Sequence, residues 1–114
     1  MPELKKFIEG FGLQSGIILG DYRLIDIKGK HETIERYHQY RYPIRLRFSP
    51  LNSNAHPLNL IRDFRELTAK DKVIDSRYGN PYLCNFGNPK IVGTIGNDII
   101  IQTIGHSQRD ESST

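Results

Sequence analysis

The chemically capable side chains are densest in Glu35-Arg36-Tyr37-His38-Gln39-Tyr40-Arg41-Tyr42-Pro43-Ile44-Arg45-Leu46-Arg47. Four arginines interleaved with three tyrosines suit an anionic ligand that carries rings. A planar guanidinium takes phosphate oxygens in pairs, and an aromatic ring stacks on an unpaired base. If the segment is extended without a bulge, Tyr37, Gln39, Arg41, Arg45 and Arg47 share one face. Ile44, Leu46 and Phe48 then take the other. A bulge at Pro43 would instead group Arg36, His38, Tyr40 and Tyr42 with Arg45 and Arg47. Either arrangement leaves a basic, aromatic surface.

Charge points to the same place. The chain carries +3 overall, yet residues 1–27 sum to −1 and residues 48–114 balance. From Lys28 to Arg47 six bases face only Glu32 and Glu35, a local excess of +4. Clustering of this kind steers partner choice more than a whole-chain pI does. The nucleic-acid-binding candidates are therefore Lys28, Lys30, Arg36, Tyr37, Tyr40, Arg41, Tyr42, Arg45 and Arg47, with RNA ahead of DNA because the charge excess overlaps the tyrosines. The bland alternative is a half-buried strand whose arginines merely face water or guard an edge.

Catalytic and metal chemistry lack comparable patterns. His31, His38, His56 and His106 are widely spaced, and no HExxH or Cys/His pair at ligand spacing occurs. Cys84 alternates with Tyr82 and Phe86, as a buried small side chain would, and has no local nucleophile motif. Gly10-x-Gly12 and Gly16-x-x-x-Gly20 lack the Gly-Lys-Ser/Thr of a phosphate loop. Tyr78-Gly79-Asn80-Pro81 and Phe86-Gly87-Asn88-Pro89 read as two chain reversals. No metal or cofactor is implied, and the chain reads as a binding module rather than an enzyme.

The elements that must position these residues follow from periodicity. Leu4, Phe7, Ile8 and Phe11 have helical spacing, as do Leu60, Ile61, Phe64 and Leu67 after Pro57. His56 marks the start of that second helix. Gly16–Leu19, Tyr22–Ile27 and a long extended stretch from about Thr33 to Ser49 read as strands, with a slip in alternation at Leu24-Ile25. Pro43 cannot donate to a ladder, which predicts an edge, a bulge or a break there. Residues 71–77 read as a charged connection. Tyr82–Phe86 is a further strand, and Ile91–Ile95 with Ile99–Ile104 forms a hairpin around Gly96-Asn97-Asp98.

With 114 residues, 37% of them hydrophobic, the chain can bury one real core. It predicts one α+β domain over residues 1–105 and a polar, disordered tail over 106–114. The order is helix, three strands, helix, three strands, with both helices on one face of a largely antiparallel sheet of about five to six strands. One cysteine excludes an internal disulfide, and no signal peptide or membrane span is evident, so an intracellular (cytoplasmic or nuclear) setting is expected. The alternative to nucleic-acid binding is a protein-interaction subunit or adaptor, homodimeric through the C-terminal hairpin.

Overall fold

The computed structural model describes residues 2–30, 32–33 and 38–110. The chain runs α1 (Leu4–Gly10), β1 (Ile18–Leu19), β2 (Tyr22–Gly29), β3 (Glu32–Thr33), β4 (Gln39–Pro50), α2 (Pro57–Thr68), β5 (Lys72–Asp75), β6 (Pro81–Phe86), β7 (Lys90–Ile95) and β8 (Asp98–Arg109). It is a mixed α+β fold in which the described residues form an antiparallel sheet of eight strands, its main path ordered β1-β2-β4-β8-β6-β5. β3 adds to β4 and β7 to β8. No helix among the described residues is long and apolar enough to cross a membrane.

The sheet is organised on one long pair. β4 and β8 run antiparallel from Gln39↔Gln108 to Phe48↔Ile99 without a register shift. Even-numbered residues of β4 (Tyr42, Ile44, Leu46, Phe48) and odd-numbered residues of β8 (Ile99, Ile101, Thr103, Ser107) are buried on the inner face. Their alternation is the period of two that any strand imposes. Phe7 of α1 stacks on Tyr42, and Phe64 of α2 meets Phe48 and Phe86 edge-on. Leu60 and Ile61 complete that core with Leu24, Tyr82 and Cys84.

α2 starts where the sequence places it. His56 is its N-cap, its Nδ1 accepting from the Leu58 amide at 3.1 Å, and Pro57 follows without a lost hydrogen bond. Near the other end Thr68 donates to the Phe64 carbonyl at 2.8 Å. The slip at Leu24-Ile25 is a register shift against β4 between Leu24 and Asp26, and it leaves Ile25 exposed.

Several expectations need correction. The described residues form eight strands rather than five or six, four before α2 and four after it. β1 and β3 span two residues each and β5 four, too short to show a period. The stretch from Thr33 to Ser49 is not continuous, because Glu32↔Arg41 and Thr33↔Tyr40 pair β3 back onto β4. His38, at φ 63, lies in the left-handed region before β4 begins. β5 occupies what reads as a charged connection.

Residues 106–109 are not tail. They belong to β8, between β4 on one side and β6 on the other. The period signal fails there because the inner face is Thr103, Gly105 and Ser107, small groups covered by larger side chains from elsewhere. The Phe86-Gly87-Asn88-Pro89 motif does not reverse the chain either. β6 and β7 lie in line along the same edge of β8, and the Gly87 amide donates to the Ile104 carbonyl between them.

Pro43 sits in the middle of a central strand, flanked on both sides. Its carbonyl accepts from the Lys30 amide at 3.3 Å, so its missing N–H also points toward β2 and β3. That is where pairing passes from Gly29↔Ile44 to Glu32↔Arg41, so the break lies in the neighbouring strands.

Candidate nucleic-acid interface

The odd-numbered residues of β4 and even-numbered residues of β8 form the outer face of the sheet. Arg41, Arg45, Gln102 and Gln108 are exposed there, while Arg47, Ile100, Ile104 and His106 are half-buried. Cross-strand register assembles this face into rungs. One is Glu32–Arg41–His106–Asn85. A second is Lys28–Arg45–Gln102–Lys90, and the next toward the β7–β8 turn is Asp26–Arg47–Ile100–Gly93.

The arginines are not equivalent. Arg41 Nε donates to Glu32 Oε2 at 2.6 Å, and Lys30 Nζ lies 3.3 Å from the same carboxylate. These two bonds, Arg41's first, hold the Glu32 carboxyl below its ordinary value. Arg47 binds Asp98 Oδ2 through Nε at 2.8 Å and through Nη2 at 2.7 Å. A bond from Ser49, and then Arg47, keep Asp98 below its ordinary value too. Arg45 instead donates through Nε to the neutral Gln102 amide at 3.1 Å. Lys28 lies 4.0 Å from Asp26, beyond hydrogen-bond reach. Burial and the neighbouring Arg41 charge lower the His106 pKa.

The tyrosines go elsewhere. Tyr42 is fully buried on the inner face; its hydroxyl donates to the Pro2 carbonyl at 2.7 Å and lies 3.0 Å from Ser107 Oγ. Burial pushes that phenol up to about 12. Tyr40 is half-buried against the same core, its ring 6.1 Å from that of Tyr82. Neither ring is offered on the arginine face, and Tyr42 is unavailable for stacking altogether. Arg36 and Tyr37 lie outside the described residues.

The register therefore brings together Lys28, Arg41, Arg45 and Arg47, with Lys30 beside Glu32 at the margin. It also adds residues that the one-dimensional charge count passed over. Lys90 sits in a region of balanced charge, and only the pairing of β7 with β8 carries it to the basic rung. Asp26 and Asp98 arrive the same way.

Cys84 is buried and its Sγ lies 3.6 Å from the Tyr82 carbonyl. Burial pushes its thiol up to about 12, so almost no thiolate exists near neutrality. In the folded protein a disulfide reagent should modify it only at the rate of unfolding, as followed by absorbance with and without denaturant. Rapid modification under native conditions would contradict this placement.

Comparison with protein-family models, with curated proteins and with solved structures found no match to this chain.

Proposed function

We propose that this chain is a non-enzymatic binding module that holds nucleic acid on the outer face of its sheet through backbone phosphates. The observation that supports this is the rung Lys28–Arg45–Gln102–Lys90, three cations and an amide side by side with no carboxylate among them. Neighbouring strands stand about 4.8 Å apart, so the rung spans roughly 14 Å. Like charges directly opposite one another destabilise a sheet by a few tenths to about 1 kcal/mol per pair. A bound polyanion removes that cost and releases counterions as well. Arg41 and Arg47, already held by carboxylates, contribute mainly to the order of the sheet. With the tyrosines turned inward, contact runs through phosphate and sugar, which fix position without reading sequence.

Fluorescence anisotropy with short single-stranded RNA, titrated across salt, tests this reading. Each phosphate contact to a single strand adds about 0.7 to the slope of log K against log salt, so replacing Lys28, Arg45 and Lys90 by alanine should lower it by about 2. Circular dichroism should show the triple variant folded, since Lys28, Arg45 and Lys90 are exposed. An unchanged slope, or no binding by the wild type at low salt, overturns the reading.

One observation favours a second function. All six residues of β7 are exposed, and Ile91, Val92 and Ile95 are 38%, 46% and 53% accessible along an edge that no other described strand pairs. Such an edge can add a partner's strand, although the register shift between Ile91 and Gly93 blunts it. A protein-interaction subunit of that kind would bind with little response to salt.

A further inference from the structure

The basic rung borders a depression of about 200 Å³ whose lining includes Asp26, Lys28, Arg45, Arg47, Ile95 and Ile100. We infer that this depression is a ribose subsite, in which the Asp26 carboxylate accepts a hydrogen bond from a 2′-hydroxyl while Lys28 and Arg45 hold the adjoining phosphate. The inference rests on the reading of the outer face as a nucleic-acid surface.

Size is the first argument. Sites that enclose a free small molecule measure roughly 300–1,000 Å³, so this hollow seats one part of a longer ligand. Composition is the second. Ile95, 53% exposed, and the half-buried Ile100 supply apolar contact beside cations, which fits the carbon face of a sugar next to a phosphate.

Asp26 is the third and the most specific. A carboxylate within a cationic patch repels every polyanion unless it meets a hydrogen-bond donor. Among the described residues, Glu32 and Asp98 are committed to Arg41 with Lys30 and to Arg47 with Ser49, and the exposed Asp75 lies on β5, at the far edge of the sheet. Asp26 is half-exposed, and its nearest cation, Lys28, stands at 4.0 Å. The donor that an RNA backbone carries and DNA lacks is the 2′-hydroxyl.

The test compares single strands of one sequence as RNA, DNA and 2′-O-methyl RNA, by anisotropy, on the wild-type chain and on Asp26→Ala. One hydrogen bond to a charged group should favour RNA over DNA by roughly tenfold. The 2′-O-methyl strand keeps the oxygen but loses the donor, and should bind like DNA. Asp26→Ala removes repulsion for all three strands alike, so DNA should bind more tightly while the RNA-to-DNA ratio falls to about 1. An unchanged ratio in the variant, or 2′-O-methyl RNA binding as well as RNA, overturns the subsite and leaves the phosphate surface standing. Absence of binding by any strand at low salt overturns both.

Discussion

Replacing Phe7 by alanine should cost about 3–5 kcal/mol, a large share of the roughly 5–15 kcal/mol that a domain has to lose. Phe7 is fully buried, and its ring is stacked 4.4 Å from Tyr42, with Phe11 at 5.2 Å and Phe86 at 5.1 Å. α1 is only seven residues long and shows no side-chain bond at its N-cap, so it has little stability apart from this docking. Tyr42 also depends on the arrangement, since its hydroxyl reaches the Pro2 carbonyl just before α1. Urea denaturation should show a markedly lower midpoint, and the melting temperature should drop by roughly 10–20 °C. A loss below about 1 kcal/mol would mean that the aromatic cluster is not the anchor of this helix.

The second large effect comes from adding one carbon. Gly105 lies under the Phe7 ring, and a methyl group built on it would overlap the ring's Cζ and Cε1. The backbone there is ordinary, so the glycine serves close approach rather than an unusual turn. Neither partner can yield easily. Gly105 is in a central strand paired on both sides, and Phe7 is enclosed by three other rings. Gly105→Ala should therefore destabilise by about 2–3 kcal/mol, at the upper end for overpacking. In the Gly105→Ala/Phe7→Leu double variant the smaller side chain leaves room for the methyl, so the combined loss should fall short of the sum by about 1 kcal/mol or more. Strict additivity in chemical denaturation would show that the two positions do not compete for the same space.

The same contact explains what could be read from the sequence and what could not. Both helices were legible because Leu4, Phe7, Ile8 and Phe11, and Leu60, Ile61, Phe64 and Leu67, repeat at the helical period. The alternation of Ile44, Leu46 and Phe48 with Arg45 and Arg47 likewise fixed which side chains face outward in that part of β4. What escaped were positions whose meaning is tertiary. Gly105 and Ser107 look like a fading polar stretch until the Phe7 ring is seen over the glycine and the Tyr42 hydroxyl beside the serine. Tyr40 and Tyr42 look like stacking residues until an unbroken register through Pro43 turns them inward. The basic rung was half legible: Lys28 and Arg45 stand out in the charge count, whereas Lys90 reaches them across Gln102 only through pairing with β8.

The place of β8 in the sheet bears on how the protein acquires its structure. It is the last described strand along the chain, yet it stands between β4 and the β6–β7 edge, and each half of the sheet touches the other chiefly through it. Its bonds to β4 join residues 51 and 65 positions apart. During synthesis at about 5–20 residues per second, the edge of β4 stays bare for several seconds until it arrives, and the β6–β7 edge for a shorter time. Non-local closure of this type folds slowly, and in the interval each bare edge is a template for the wrong partner. The strand that completes the outer basic face is thus also the strand on which safe passage through folding depends.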